Sequence, residues 1–535
     1  MKQLQTNQFE AASQSWQRAL QIYQDIHDRK NEALVLTNLG IVYRNLLQYD
    51  KAIASFQQAL PILRQVNDHQ NEANALINLA RAYRNSSQYD KAIASFQQAL
   101  SLYQQIKDPQ GEATTLQGLG ITYRRLKQYD KAIAANQQAL AIFHQVNDRE
   151  GEANALTSLG NDYDALSQHE KAIATFQQAL PIYRQIQERS GKAVALKNLG
   201  IAYSNLFQYD KAIAFFQQAL FIFQQTNDRN EETQVLTALG GAYNLLGNYG
   251  KAIEYYQQTL AIARKSNDQK REGTALLDLG NAHLVLGNYG KAFEYYEQRL
   301  AIARKVKNRL DEGRVLGNLG LAYNDLGNYG KAFEYHTQAL AIFRELQNRL
   351  DEGRALGNLG LVYYALGNNS KAIDLNEQAL AIARKTKDRR GESLALSYLG
   401  AIFSTQRQPE LAIVFYKQSV NVRESLRQDT RSLSRDLQAS YTQTPAVPYR
   451  NLADLLLAKG RILEAQEVLE LLKVQELKDF DRTTRAKIDN GKIALDPTEQ
   501  AIVDKYGSFI AFGQKLRGCQ ASKPPCAEYD RFIQL

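Results

Sequence analysis

The sequence predicts an all-α solenoid of stacked antiparallel helix pairs, because it contains a 40-residue repeat, two helical segments per repeat and a short polar turn between them. The segment LGNYGKAFEYY at 286–296 is preceded by LGNYGKAIEYY and followed by LGNYGKAFEYH, each at an interval of 40 residues. Aligned on Leu-Gly, ten such copies run from about residue 30 to residue 429 without insertion or deletion. A period held so strictly indicates one continuous array in which each repeat packs on its neighbours.

Each repeat contains two segments whose apolar residues follow helical spacing. In the first repeat Leu36, Leu39 and Tyr43 recur at steps of three or four residues, and Ala52 and Phe56 do the same in the second segment. Small residues allow the helix backbones to approach closely, and aromatic residues then fill the space between repeats. A single helix pair cannot bury both of its apolar faces, so we predict that the repeats must stack in order to fold.

Short polar segments separate the predicted helices. The turn within a repeat reads LLQYDK in the first copy and LGNYGK in later copies, where Gly247, Gly287 and Gly327 suit the left-handed conformation that commonly ends a helix. Between repeats, segments such as NDRNEE and KDRRGE supply an Asp or Asn that can cap the next helix. These signals place two helices in every repeat.

The repeat pattern resembles a known family. Leu-Gly-x-x-Tyr, followed by Ala, then Phe or Tyr, then Ala, is similar to the tetratricopeptide repeat, and the 40-residue length resembles the longer-helix variety of kinesin light chains. HEAT and armadillo repeats share the period but lack this spacing of residues. The resemblance implies a right-handed superhelix whose first helices line a concave surface where ligands bind.

The position of the repeats predicts four parts of the chain. They are a partial N-terminal repeat, mainly its second helix, at 1–29; ten tandem repeats at 30–429; a degenerate capping helix pair at 430–480; and a helical connector and tail at 481–535. Six residues depart from the repeat pattern, namely Ala80, Asn136, His283, His336, Asn376 and Phe403. We expect Asn136 and Asn376, which stand where Phe or Tyr is usual, to loosen the local packing.

The first helix of each repeat carries one stripe of residues that packing does not use. In the first repeat the stripe comprises Leu34, Thr37, Asn38, Ile41, Arg44 and Asn45. If the first helices line the concave surface, as the resemblance implies, the stripes of successive repeats form a ladder along a groove. The equivalent residues Asn38, Asn78, Asn198, Asn318 and Asn358 form one rung of this ladder.

These asparagines allow two interpretations. A carboxamide both donates and accepts hydrogen bonds, so the rung can bond the backbone of an extended peptide whatever its sequence; the resemblance to kinesin light chains implies this role. The same side chains can instead bond the neighbouring helix and hold the stack together. Both interpretations remain open at the level of sequence.

Arginines form a second rung. Arg44, Arg84 and Arg124 occupy equivalent positions in three consecutive repeats, and Arg314 and Arg354 share another stripe position. Clustered guanidinium groups favour carboxylate or phosphate groups, through their charge and their paired donors. A solvated charged face is the alternative for any one of them. We predict from this rung that the groove takes a protein or peptide partner, and that an acidic partner would fit.

The sequence contains no pattern of catalytic, cofactor-binding or metal-binding residues. Its two cysteines, Cys519 and Cys526, have no histidine near them in the chain, which makes them poor zinc ligands and poor nucleophiles. The glycines of GNLGLAYNDLGNYG recur with the repeat, as helix-packing and turn residues do, and they follow no strand. We therefore predict a non-catalytic protein that needs no cofactor and no metal.

Charge and hydropathy narrow the classes of partner. The net charge of +9 is modest for 535 residues and permits an acidic partner without demanding one. No run of 18 apolar residues occurs and the N-terminus lacks the apolar region of a secretory signal, so we expect no membrane span and a cytoplasmic location. The repeated tyrosines stand at packing positions, which argues against nucleic-acid binding. The oligomeric state stays open.

The region after the repeats carries a second resemblance. YRNLADLLLAKGRILEAQEVLELLKVQELKDF, followed by YGSFIAFGQKL, resembles the connector of bacterial, often cyanobacterial, proteins that place such repeats before a CHAT-type caspase-like peptidase. The family's His–Cys dyad has no counterpart here, which suggests a fragment or a split gene. The predicted function is therefore a scaffold that binds a peptide or a partner-protein segment. The alternative is a regulatory arm for a CHAT-type peptidase on another chain.

Overall fold

The computed structural model describes residues 2–429, 446–476 and 493–505, and every regular element in these ranges is an α-helix. Within each repeat we call the first helix the A helix and the second the B helix. The chain divides into two compact units, residues 1–242 and 243–535, and each is described by itself. The predicted all-α solenoid of helix pairs is confirmed within both units.

The helices follow the 40-residue period. The A helices are α2 (Arg29–Asn45), α4 (His69–Asn85), α6 (Pro109–Arg125), α8 (Arg149–Ala165), α10 (Arg189–Asn205), α12 (Arg229–Leu245), α14 (Gln269–Val285), α16 (Arg309–Asp325), α18 (Arg349–Ala365) and α20 (Arg389–Thr405). The B helices are α3 (Tyr49–Gln65), α5 (Tyr89–Ile106), α7 (Tyr129–Gln145), α9 (His169–Gln185), α11 (Tyr209–Thr226), α13 (Tyr249–Lys265), α15 (Tyr289–Lys305), α17 (Tyr329–Glu345), α19 (Asn369–Thr386) and α21 (Pro409–Asp429). α1 (Lys2–Asp25) precedes them. After them come α22 (Val447–Ala458), α23 (Ile462–Glu476) and α24 (497–505).

The helix ends form as the turn residues predict. A carboxylate oxygen of Asp28 accepts the backbone N–H of Asn31 at 3.1 Å and so caps α2. The turn between A and B helices passes through the left-handed region, with φ of 75° at Gly247 and of 61° at Leu47. Glycine adopts this conformation without strain, whereas the Cβ of leucine comes too close to the following carbonyl oxygen. The turn geometry is thus imposed by the packing of the pair and does not require glycine.

The core of most helix pairs is an aromatic ring set against a glycine backbone. Phe56 of α3 is fully buried, and a Cβ added to Gly40 of α2 would lie 2.5 Å from its ring. The same relation joins Gly200 to Phe216. Since a close-packed interior tolerates little added volume, these glycines let the two helices approach to this distance.

Three polar residues occupy the ring position without opening the core. Asn136, His336 and Asn376 are all at most 1% exposed, and each lies against the glycine of its own A helix. Asn376 donates Nδ2–H to its own helix backbone at 2.8 Å. Burial is therefore kept where we expected looser packing. The cost is electrostatic, because the amide oxygens of Asn136 and Asn376 have no hydrogen-bond partner among the described residues.

A buried lysine ties the end of the repeats to the segment that follows. Lys417 of α21 is fully buried, and its Nζ lies 2.6 Å from a carboxylate oxygen of Glu464 and 2.9 Å from one of Glu499. The Lys417 ammonium also donates to the carbonyl of Ala494 at 3.1 Å. α21, α23 and residues 493–505 are thus joined at one charged centre. The second motif of the peptidase-connector resemblance, from residue 506, lies outside the described residues, as do both cysteines.

Candidate functional site

The stripe predicted on the A helices, which we call the A-helix stripe, includes side chains that bond the A helix of the neighbouring repeat. Within each unit, successive A helices contact each other, whereas the main contacts of each B helix are with the A helices on either side of it. Residues at the stripe positions of the first repeat are half-buried except Asn45, which is exposed. The stripe is thus partly accessible, and its side chains can reach the next repeat.

The five predicted asparagines do not share one role. Asn78 accepts a hydrogen bond from Arg44 Nη1 at 2.9 Å, and Asn198 donates from Nδ2 to Asn161 Oδ1 at 2.8 Å. Both bonds link an A helix to the next A helix, as the stack-holding interpretation requires. The structure records no side-chain hydrogen bond to the described residues for the remaining three, which are Asn38, Asn318 and Asn358. These three keep their donors and acceptor available.

Four of the five predicted arginines also link successive A helices. Arg44 bonds Asn78, as described above. Arg124 pairs with Asp162 at 3.0 Å and donates to the carbonyl of Ser158 at 3.1 Å. In the second unit the pairs are Arg314 with Asp351 at 3.1 Å and Arg354 with Asp388 at 3.3 Å. The equivalent register of these arginines therefore reflects inter-repeat bonding. Arg124, Arg314 and Arg354 have a carboxylate partner in the stack, whereas the partner of Arg44 is a neutral amide.

Asp162 explains why Arg124 is held so firmly. This carboxyl group is fully buried, and it accepts hydrogen bonds from Arg124 and from Asn136 Nδ2, the latter at 2.5 Å. Burial raises the pKa of Asp162, while Arg124 and Asn136 oppose that rise. Asp162 occupies a position where Ala or Val is usual, as at Ala202 and Val42. Sequence reasoning missed it, although an acid at an apolar repeat position is a visible signal.

Arg84 differs from the other four arginines. Its side chain is half-buried, and the structure records no hydrogen bond or ion pair to the described residues for Arg84, Arg81 or Arg125. Burial, together with the neighbouring cations Arg81, Arg125, Arg44 and Arg124, lowers the pKa of Arg84 to about 10. We call these five residues the arginine cluster. It is a concentration of positive charge in which every guanidinium group except that of Arg124 lacks an anionic partner among the described residues.

A pocket opens beside Arg84. Its volume is about 420 Å³, and its lining includes Arg84, Arg125, Tyr49, Asn85 and Tyr89. None of the described residues that line it is acidic. Guanidinium groups bind carboxylate and phosphate groups through paired donors, and partial burial strengthens such contacts by reducing screening. The pocket can therefore hold an anionic group against Arg84 and Arg125.

Comparison with protein families gives seven matches described as tetratricopeptide repeat. They cover residues 3–65, 31–105, 71–145, 111–185, 191–265, 271–345 and 351–425. The chain belongs to the tetratricopeptide repeat family. Members of this family are in general interaction scaffolds without catalytic activity, which agrees with the prediction from sequence.

The chain is also similar to several solved structures, at low sequence identity. The BtubC (BKLC) protein of P. vanneervenii is 23% identical over 41% of this chain and 92% of its own, with a TM-score of 0.37. A signal transduction ATPase with a tetratricopeptide repeat sensor from Pyrococcus horikoshii is 22% identical over 63% of this chain and 50% of its own, with a TM-score of 0.48. A putative kinesin light chain with nearly identical repeats from Podosopora anserina is 19% identical over 36% and 94%, with a TM-score of 0.31. No curated protein matches the chain significantly.

The described part of the chain has neither a metal cluster nor a membrane-spanning helix. No group of three His, Cys, Asp or Glu side chains among these residues could hold a metal ion. No described helix combines the length and the apolar run that crossing a bilayer requires. The arginine cluster and the A-helix stripe remain as the candidate binding features of the described residues.

Proposed function

We propose that this chain is a non-catalytic scaffold that binds an acidic segment of a partner protein along the A-helix stripe, with the arginine cluster as its main anionic contact. The observation that carries the proposal is Arg84: a half-buried guanidinium group, surrounded by four others and without an anionic partner, beside an open pocket. An unpaired charge held among like charges destabilises the free protein. A bound carboxylate or phosphate group relieves that cost, and the relief adds to the affinity.

The asparagines without internal partners support the same surface. Asn38 lies in the unit that contains Arg84, on the A helix of the preceding repeat. Its carboxamide makes no hydrogen bond to the described residues. A carboxamide can bond the backbone of a bound segment while the arginine cluster holds its acidic side chains. Asn78 and Asn198, which bond their neighbours, contribute to the stack and are not part of this contact.

The experiment uses a fluorescein-labelled octaglutamate peptide and measures its anisotropy with the full chain. Arg84→Gln combined with Arg125→Gln removes two unpaired cations, and we expect binding to weaken by about tenfold or more. Arg314→Gln combined with Arg354→Gln is the matched control, because it removes the same charge from arginines whose partners are Asp351 and Asp388. Equal loss in both double variants would show non-specific attraction to net charge and would overturn the proposal.

Salt provides a second arm of the experiment. Exposed charges are screened over about 8 Å at physiological ionic strength, whereas partly buried pairs are screened less. Binding at the arginine cluster should therefore persist at a salt concentration that abolishes binding of octaglutamate to the double variant of Arg84 and Arg125. Octaglutamine, which has the same length and no charge, should not bind to either protein.

A further inference from the structure

A small apolar cavity lies in the second unit between α18, α19 and α20. Its volume is about 60 Å³, and its walls include Gly353 and Gly357 of α18, Ala379 and Ala383 of α19, and Gly391 of α20. All of these residues except Gly391 are buried, and Ala383 is only 5% exposed. We call this the Ala383 pocket. It is bounded by the smallest side chains of three helices.

Other repeats show what normally fills this space. The position of Ala383 carries an aromatic residue at Tyr103, Phe143, Tyr183, Phe223 and Phe343. The ring of Tyr183 packs against Gly191, the counterpart of Gly391, and its hydroxyl group bonds Asn154 at 2.8 Å and Thr157 at 3.1 Å. Asn154 and Thr157 are the counterparts of Arg354 and Gly357. The Ala383 pocket is therefore the site of a missing ring, opened further by a missing threonine.

The seventh repeat also lacks the ring but is filled in another way. It has Ala303 at the equivalent position, and the side chain of Arg299 lies against Gly273 and pairs with Asp311 at 2.5 Å. In the ninth repeat Ala379 stands in place of Arg299, so no long side chain enters the space. The ring is thus missing at Ala383, and no long side chain such as that of Arg299 replaces it.

The pocket opens onto the A-helix stripe. Arg354 and Asn358, both stripe residues, belong to its lining, and Asn358 has no side-chain hydrogen bond to the described residues. Leu350 and Leu394 stand at its edge and are 37% and 42% exposed, although both are large apolar side chains. An apolar group that entered the pocket would cover these leucines and remove their surface from water.

We propose that the Ala383 pocket binds a branched aliphatic side chain, of the size of leucine, from a partner segment that lies along the A-helix stripe. The size follows from the volume: an engineered apolar cavity of about 150 Å³ in another protein takes benzene, and this pocket has less than half of that volume. Ile382 keeps its usual place, since its Cγ2 lies 2.9 Å from a Cβ placed on Gly353, as that of Ile342 lies 3.1 Å from one placed on Gly313. This proposal rests on the proposed function for the identity of the segment, but the pocket itself can be tested without it.

The probe is N-acetyl-leucinamide, added to the full chain with ¹³C-labelled Ile and Leu methyl groups. We expect saturable shifts of the Ile382 and Leu394 methyl signals by NMR. N-acetyl-alaninamide is too short to fill the pocket, and N-acetyl-phenylalaninamide is too large. Each should bind about tenfold more weakly than the leucine probe, which matches the loss of most of one buried side chain. Absence of saturable shifts with the leucine probe would overturn the proposal.

Two variants fill the pocket from within. Ala383→Phe restores the ring, in the arrangement that Ile342 and Phe343 already form over Gly313. Gly357→Thr restores the threonine at the pocket mouth, where an added Cβ would meet only the methyl group of Ala379 at 3.8 Å. Each variant should abolish the shifts caused by the leucine probe. If the shifts persist in both variants, the leucine probe binds elsewhere and the proposal is wrong.

Gly317→Thr is the matched control. Gly317 is the counterpart of Gly357 in the eighth repeat, where Phe343 already fills the space, and a Cβ added there meets nothing within 4 Å. This variant should bind the leucine probe as the wild type does. A leucine probe that does not bind can be distinguished from a failure of the proposed function. The octaglutamate assay reads the arginine cluster in the first unit, whereas the leucine probe carries no charge and reads the second unit.

Discussion

His336 should make the second unit sensitive to mild acid. Its imidazole is 1% exposed, lies against Gly320, and has no hydrogen-bond partner among the described residues at either nitrogen. Burial lowers the pKa of His336 from 6.5 to about 4, because the charged form would lose its hydration. The folded protein therefore holds a neutral histidine, whereas the unfolded chain takes up a proton below about pH 6.5.

The sign and size of the effect follow from this difference. Between pH 6.5 and 4 the unfolded state binds more protons than the folded state, so the free energy of unfolding falls as the pH falls. With the two pKa values above, the loss relative to neutral pH is about 2 kcal/mol at pH 5 and about 3 kcal/mol at pH 4. Below pH 4 the loss no longer grows, because both states are protonated.

His336→Phe should remove this dependence. Phenylalanine is the residue at the equivalent positions Phe56 and Phe216, where it packs on glycine as His336 does. Urea unfolding followed by circular dichroism at pH 7 and pH 5 measures the difference between wild type and variant, so that other titrating groups cancel. Amide hydrogen exchange in α16 and α17 localises the change, since long repeat arrays need not unfold in one step.

The His336 prediction has a matched control in another histidine, His27. His27→Asn changes an exposed histidine in a turn where Asn67 and Asn147 hold the same left-handed conformation, and it should leave the pH dependence unchanged. The reasoning is refuted if His336→Phe loses as much stability as the wild type between pH 7 and pH 5. It is also refuted if the NMR signal of His336 titrates near pH 6.5.

Three further predictions concern buried charge and glycine packing. Asp278 stands at the position of the stripe asparagines, and burial raises its pKa to about 6. The folded protein therefore binds a proton at Asp278 more readily than the unfolded chain does. Asp278→Asn should raise the free energy of unfolding at pH 7 by about 1–2 kcal/mol, with the gain vanishing as the pH falls toward 4. Lys417→Met should lower the free energy of unfolding by about 3 kcal/mol and speed hydrogen exchange in residues 493–505, because it removes the ammonium partner of the buried Glu499 carboxylate. Gly200→Ala should lower the melting temperature through a clash with a ring, whereas Gly317→Ala, which meets nothing within 4 Å, should raise it slightly.

The sequence predicted the fold because the residues that define it repeat. The Gly40 and Phe56 positions recur often enough to specify helix pairing, and the turn glycines such as Gly247 and the caps such as Asp28 fix where helices begin and end. Each of these is a local rule that holds within one repeat and its neighbour. Local rules of this kind can be read from a sequence without knowing the overall arrangement.

The site was predicted less well, because a shared register does not show whether a side chain has a partner. Arg84 and Arg124 stand at the same position of consecutive repeats, yet Arg124 is paired with a buried carboxylate and Arg84 has no partner among the described residues. The difference is Asp162, which lies 38 residues after Arg124 and comes into contact only when the repeats stack. The Ala383 pocket was missed for a related reason: an alanine at a ring position could equally have been filled by a neighbour, as Arg299 fills the space beside Ala303.

Deviation from the repeat thus carries the information about binding that the repeat itself cannot carry. A residue present in every repeat is constrained by the need to stack, and four of the five stripe arginines show that even a charged residue can serve that need. A position that departs from its equivalents is released from that constraint in one place. Arg84 departs because Gly118 stands at the position from which Asn78 bonds Arg44, and Ala383 departs by lacking a ring. Arg84 leaves an unsatisfied charge in the first unit, which an acidic group would neutralise. Ala383 leaves an unfilled apolar space in the second unit, which an aliphatic side chain would fill.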